Sequence, residues 1–461
     1  MLTKDKFIFE LTQIFSQENI QTSLDDRIYY SKDAGHYKGE RKLPDAVVFA
    51  ETIEQVQQVV KLANIYNVPI ICRGAGTNVV GSCVAVNGGI ILNFSKMNKV
   101  LELNRENMSV RVQSGVVVGD LQNLVESVGL YFPPDPSNLA ISTIGGGIAQ
   151  ASSGARTFKY GSIKDYIIDL LVVTADGEIL RTGSNTIKNA TGYNLGSLFV
   201  GSEGTLGIIT EATLKLICKP ECQKVMLAYF DNLENSIKAV SSIIEHKITP
   251  ATIDFMDKNA LAISKKYVSC DILETKEAAL IIEIDGFEIT MDYQQQIIEK
   301  ILNSAGATKI LTSKNKQEYE QIWQARRSSM TACKMIKSSV ITDDVIVPRE
   351  NLAKLVTGVR VICEKYKLEV CMVGHVGDGS VHPQIPIDLD NEEEYKNLKN
   401  AKNEIYELTA KLDGLISGEH GVGLDKKEHI HKVINPIAID YMRQIKKTFD
   451  PNNILNPYKI F

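Results

Sequence analysis

At 461 residues the chain is too long for one ordinary hydrophobic core, so two or more domains are expected. A composition 44% hydrophobic and 23% charged excludes a disordered protein, and a net charge of −5 gives no general attraction to nucleic acid or anionic lipid. The 8 cysteines are scattered without a CxxC pair, which excludes the compact thiolate sets of iron–sulfur clusters and zinc ribbons. Cys218 and Cys222 form only a lone CxxxC, and reduced thiols in a cytosolic protein are the expectation.

The start, MLTKDKFIFELTQIFSQ, intersperses Lys4, Asp5, Lys6 and Glu10 among apolar residues, so no signal-peptide core is expected. Phe7, Leu11, Ile14 and Phe15 fit one face of a short helix, and residues 1–39 are read as an N-terminal helical segment. No apolar run reaches the roughly 20 residues of a membrane span. A cytoplasmic protein without a transmembrane segment is expected, docking on a membrane only through a partner.

From residue 40 to 218 short strands alternate with helices: DAVVFA, a helix over 53–66, VPIICR, then IILNFS after Gly88-Gly89. Past Lys219-Pro220 the glycine loops thin out, and 219–410 reads as a second α+β domain. Its helices are expected at 233–246, 291–305 and 350–366, with LIIEIDGF a strand. NEEEYKNLKNAKNEIYELTAKL reads as a solvent-exposed charged helix. Residues 411–461 form a C-terminal segment whose IKKTFDPNNILNPYKIF is expected to lie as an ordered tail on another surface.

Three glycine constellations stand out. RGAGTNVVGS (73–82) follows a strand, and its glycines let backbone N–H groups converge on an anion, though an ordinary tight turn also fits. It has neither the GK[ST] of a Walker loop nor a GxGxxG opening a helix. PPDPSNLAISTIGGGIAQASSGARTFKYG (133–161) sets prolines beside Asp135, with close backbone approach at Gly145–Gly147 and Gly154. Close strand packing explains Gly145–Gly147 equally well, but not the whole string. LFVGSEGTLGIITEATLKL (198–216) reads as a strand that meets Glu203-Gly204 and Gly207 and resumes. Together they suit a long ligand held along backbone amides, and a dinucleotide is the natural candidate.

Two of the 7 histidines lie in GHVGDGSVHPQIP (374–386). With Asp378-Gly379 as a two-residue hairpin turn, His375 pairs with His382, their Cβ atoms about 5 Å apart on one face. The pair then converges on one metal ion; alternatively it merely flanks a polar turn, and a longer turn changes the register. SGEHGVG (417–423) adds Glu419 and His420. Two imidazoles and a carboxylate make an open three-ligand site, with His420 left as a base facing substrate on the other side of the loop.

RGAGT, PPDPS, ASSGARTFKYGSIKDYI and LFVGSEGTLGIIT occur in this order, and the chain resembles FAD-binding enzymes of the vanillyl-alcohol oxidase/PCMH superfamily. Within it the chain looks like the D-lactate dehydrogenase/glycolate oxidase large-subunit group. The resemblance implies an α+β fold: a two-subdomain PCMH-type FAD-binding domain, a second α+β substrate (cap) domain, and a C-terminal segment returning to the flavin. It implies that Gly74, Ala75, Gly76, Thr77 and Asn78 bind the pyrophosphate. Pro134, Asp135, Ser137, Thr143, Gly146, Gly147, Ser152 and Gly154 would line the flavin. Glu203, Gly204, Gly207, Ile208 and Ile209 would hold the adenine side, and Asn456 would return to the isoalloxazine. GAGTN lacks a histidine or cysteine, so FAD is expected to be noncovalent.

GHxGDGxxH and GEHGxG in that family imply His375, His382 and Glu419 as ligands of a divalent metal (zinc, iron or manganese), with His420 the catalytic base. Arg326 in IWQARRSSM matches a carboxylate-binding arginine, with Arg327 the competing neighbour. Relatives specific for 2-hydroxyglutarate carry a lysine where this chain has Thr342, which points to a small monocarboxylate. Gln384 replaces a frequent asparagine. The expected activity is oxidation of a small D-2-hydroxy acid, D-lactate or glycolate. Electrons would pass to an electron-transferring flavoprotein, an iron–sulfur subunit or quinone. The alternatives are an oxidase using oxygen, a metal-dependent hydrolase on the His/His/Glu site, which leaves the glycine loops unexplained, and a non-catalytic flavoprotein subunit.

Overall fold

A computed structural model describes residues 3–36, 38, 43–268 and 273–461. The boundary expected at 39/40 and Cys270 lie outside the described residues. Three strands, Ala46–Phe49, Ile90–Asn93 and Ile70–Arg73, pair in parallel and are almost wholly buried, as parallel strands covered on both faces must be. Helix Ile53–Tyr66 covers one face; Thr52 and Gln55 close its start as a capping box, and Asn67 ends it at φ 52°. The N-terminal helix Thr3–Ile14 lays Phe7 and Leu11 into the same core. Both sheet edges are covered: Ile20–Gln21 pairs with Ala46–Phe49, while on the far side Ile70 N–H donates to Ile454 O and its carbonyl accepts from Asn456 N–H. The tail thus lies along this sheet edge through a single parallel bridge, Ile70 to Leu455, as an ordered segment laid on another surface.

A second, antiparallel sheet runs Val100–Asn104, Ser109–Gln113, Ile208–Lys215, Ile167–Val173, Ile179–Arg181. Helix Ile144–Gln150 packs on it, and here the glycine triplet is helical rather than extended. A Cβ on Gly145 would lie 2.5 Å from Ser114 Cβ, so only glycine lets this helix approach the sheet. LFV is not a strand: Gly196–Phe199 is a helical turn that drives Phe199 into the core beside Phe449.

The third sheet has eight strands and is antiparallel. Its order is Ala307–Thr312, Cys222–Phe230, Ala278–Gly286, Thr252–Asp257, Cys371–Gly374, Ser380–Ile387 and Ser339–Thr342, with Val345–Ile346 also pairing with Ser380–Ile387. Helices Leu233–Glu245, Glu288–Ser304 and Leu352–Lys365 fall where the apolar spacing puts them. The charged helix Glu392–Lys411 departs from its expected full exposure. Leu398, Ala401, Ile405 and Tyr406 bury one face, Lys402 is buried against Asp425, and Tyr406 donates to Asp343. Its charges decorate an amphipathic helix whose apolar stripe is narrow. Among the described residues no helix is long and apolar enough to cross a membrane.

Candidate active site

One cavity of about 420 Å³ runs between the sheets, and its wall is continuous from the first glycine loop to the histidine cluster. Loop Gly74–Asn78 leaves strand Ile70–Arg73 at its C-terminal end, where open α/β sheets bind ligands. A Cβ on Gly74 would overlap Thr143 Oγ1, and Gly76 stands at φ +72°, so the loop presents bare backbone to the cavity. Opposite it, Thr143 caps helix Ile144–Gln150, aiming the helix N-terminus and Gly146-Gly147 at the same space. Two amide-rich walls that meet at the small Thr143 side chain fit a pyrophosphate and its flanking rings.

Asp135, Ser137, Ser152, Gly154, Glu203, Gly204, Gly207 and Ile209 also reach this wall. Three expected residues do not. Ile208 precedes Ile209 in one strand, so alternation turns it into the core of the parallel sheet. The Pro134 carbonyl accepts from Gln122 behind the loop. Asn456 donates to the carbonyls of Ser82 and Glu203, joining two glycine loops from behind. Glu203 itself is a strut: its carboxylate accepts from Ser82 Oγ and from the N–H groups of Val422 and Gly423.

At the other end His375, His382 and Glu419 bring one donor atom each within 4.8 Å of one another. The hairpin register differs from the two-residue turn: His382 pairs with Val373, and the N–H groups of Asp378, Gly379 and Ser380 all point to the His375 carbonyl in a wider turn. A shift of two residues preserves the face, so the rings still meet, with centroids 5.1 Å apart. Neither ring nitrogen of the buried His382 has a hydrogen-bond partner, an expensive arrangement unless a cation takes one of them. Burial pushes His382 down to about 4, against the pull of Glu419 and Asp344. Burial also opposes charge on His375, but Asp254 and Glu419 outweigh it and raise its pKa well above the ordinary value.

Loop 417–423 curls around one buried oxygen. Asp344 Oδ2 accepts from Ser417 Oγ and from the N–H groups of Gly418, Glu419 and His420. The tight curl sends Glu419 and His420 the same way rather than to opposite sides: His420 Nε2 is 3.7 Å from Glu419, and its ring stacks on His382 at 5.3 Å. Asn78 Nδ2 donates to the His420 carbonyl, so the first glycine loop and this loop are directly bonded.

Arg326 follows Tyr319 and Trp323 on the buried face of helix Lys316–Arg327 and reaches the cavity, with Nε 2.6 Å from Asp254. Arg327 also borders the cavity, but it is exposed and pairs with Glu320, which favours Arg326 of the two. Thr342 and Gln384 both line the cavity, and Thr342 Oγ1 is buried without a partner. Asp254, Asp344 and Glu283 are absent from the sequence-derived set, although each organises it. Glu283 accepts from Arg156, Tyr319 and Trp323, while Arg156 N–H donates to Asp135. Acids inside apolar strands were the available signal for Asp254 and Glu283, and Asp344 sits between two short strands; their partners lie too far away in sequence to be read.

Comparison with known proteins gives this arrangement its context. The model described as "FAD linked oxidases, C-terminal domain" matches residues 219–460, and "FAD binding domain" matches 44–183. The chain is 40% identical to glycolate oxidase subunit GlcD of Bacillus subtilis, over 100% of this chain and 97% of that one. It is 35% identical to D-lactate dehydrogenase of Anaerostipes hadrus, covering 90% and 89%. D-2-hydroxyglutarate dehydrogenase of Stutzerimonas stutzeri is 30% identical across 100% of both chains. The solved structure of p-cresol methylhydroxylase superposes with a TM-score of 0.84 at 19% identity, covering 99% and 96%, a likeness of fold alone. The fold is α+β of the PCMH type, and the chain belongs to the FAD-linked oxidase family, as a flavoprotein oxidoreductase related to the GlcD subunits and D-lactate dehydrogenases.

Proposed function

We propose that this protein oxidises a small D-2-hydroxy acid, D-lactate or glycolate, to the 2-oxo acid. The observation that carries the reading is the single cavity whose wall joins the glycine loops to His375, His382 and Glu419. Noncovalent FAD supplies an acceptor for the hydride leaving Cα, and a divalent cation (zinc, iron or manganese) on His375, His382 and Glu419 supplies a Lewis acid for the hydroxyl. Arg326 holds the substrate carboxylate through its guanidinium. His420, beside the cluster, takes the hydroxyl proton. Trp323, Tyr319 and Val373 line this end of the cavity.

Electrons then leave to a separate acceptor: an electron-transferring flavoprotein, an iron–sulfur subunit or quinone. The enzyme is expected in the cytoplasm, meeting any membrane only through that acceptor. The relative named for 2-hydroxyglutarate supports a second reading, with a dicarboxylate as substrate. Thr342 supports the first, because it gives the cavity a neutral hydroxyl where a second carboxylate needs a cation. Anaerobic bleaching of the yellow protein by D- and L-lactate, glycolate and D-2-hydroxyglutarate decides between them. The proposal expects D-lactate or glycolate to bleach fastest; preference for 2-hydroxyglutarate reverses the choice, and no bleaching by any of them removes both.

A further inference from the structure

Asp254 is positioned by the sheet itself. Phe255 pairs with Gly374 and Met256 with Val373, so the next rung of the same ladder sets Asp254 opposite His375. Its side chain is 1% exposed, yet both oxygens are engaged: Oδ1 lies 2.6 Å from His375 Nδ1 and Oδ2 lies 2.6 Å from Arg326 Nε. One buried carboxylate therefore touches both groups that the proposed function assigns to the two ends of the substrate. We propose that Asp254 is a positioning residue that locks the cation-binding imidazole and the carboxylate-binding guanidinium to each other, so that only an acid with hydroxyl and carboxylate on adjacent carbons spans them.

Two geometric facts support this. Accepting the Nδ1–H fixes the His375 tautomer and leaves Nε2 as its ligand atom, on the side of Glu419 at 3.8 Å. The ion pair with Asp254 lies at Arg326 Nε, whose N–H is not aligned on it as a hydrogen bond, and the two terminal nitrogens, which have no protein hydrogen-bond partner among the described residues, are left to meet a carboxylate in parallel. Asp254 is fixed within strand Thr252–Asp257, so the imidazole and the guanidinium share one rigid anchor.

The inference rests on the proposed roles of His375 and Arg326, so the test begins with the wild-type flavoprotein freed of metal by chelation. Zinc affinity is measured by competition with a chromophoric chelator, and oxalate binding by its perturbation of flavin absorption. Wild-type protein that binds neither undoes the proposed function itself. If it binds both, Asp254→Asn is expected to retain flavin, to bind zinc about 10- to 100-fold more weakly, and to bind oxalate roughly fivefold more weakly even without zinc. Wild-type affinities for both, or a loss confined to zinc, overturn the lock. Should Asp254→Asn lose its flavin, Arg326→Gln serves instead. Removing the guanidinium leaves the Asp254 charge wholly to His375, so zinc should bind roughly fivefold more tightly; unchanged zinc affinity overturns the lock.

Discussion

His420 differs from the two neighbouring histidines in what its ring is committed to. His375 and His382 belong with Glu419 to the convergent donor set, whereas His420 stands outside that set and, like His382, has a buried ring nitrogen (Nδ1) without a hydrogen-bond partner. A ring free of protein hydrogen bonds inside the cavity is suited to accept a substrate proton. His420→Ala should keep its flavin yet reduce it roughly 10²- to 10⁴-fold more slowly under anaerobic single-turnover conditions. Near-normal reduction by every 2-hydroxy acid tried would remove the assigned role. The histidine pair is legible in the sequence because face parity survives an error of two residues in register. The same parity exposes the miss at Ile208: of two adjacent strand residues only one faces the cavity, and composition does not say which. Asp254 is illegible because its meaning lies in partners about 70 and 120 residues away, across the ladder and on a helix.

At the level of elements, the histidine-bearing loop hangs from two buried carboxylates, Asp344 and Glu203, each contributed by a different sheet region. Glu203→Ala strands Ser82 Oγ and the N–H groups of Val422 and Gly423 in a dry interior, at roughly 1–3 kcal/mol for each group left unpaired. It should therefore lower the urea midpoint and release flavin at a lower temperature than wild type. Equal midpoints and equal release would show that the loop does not depend on this strut.

Asp257 offers a separate test of the third sheet. Its Oδ1 accepts from Ala260 N–H at the start of helix Lys258–Val268 and from Met372 N–H on the neighbouring strand, while the buried Oδ2 has no hydrogen bond and faces Arg360 at 3.8 Å. Burial pushes this carboxyl up to about 6 from 3.8, against those N–H groups and Arg360. The folded state then binds the proton more tightly than the unfolded chain. The contribution to stability is complete below the unfolded value and is lost as pH rises through about 6. Wild type should lose stability relative to Asp257→Asn between pH 4 and 7, by up to about 3 kcal/mol. A difference between the two that is flat across that range contradicts the assignment. None of these struts is legible in the sequence; the helices and strands they brace are, because apolar spacing is local. Gly196–Phe199 and Glu392–Lys411 mark where that local signal misleads, the first by turning an apolar run into a core plug and the second by masking a buried stripe with charge.

Across the whole molecule, ties between distant parts enclose one space. The tail closes the parallel sheet through Ile454 and Asn456, and Asn78 meets the histidine loop. Arg156 spans from Asp135 to Glu283 beneath the helix that carries Arg326. In the proposed function a flavin cradle and a cation site share this cavity and act on one substrate. The direct measurement is anaerobic flavin reduction by D-lactate and glycolate before chelation, after chelation and after a divalent cation is restored. Rapid bleaching is expected, lost on chelation while the yellow absorption persists and regained with the cation. Purified protein with no flavin absorption, or undiminished bleaching once the cation is gone, would contradict it.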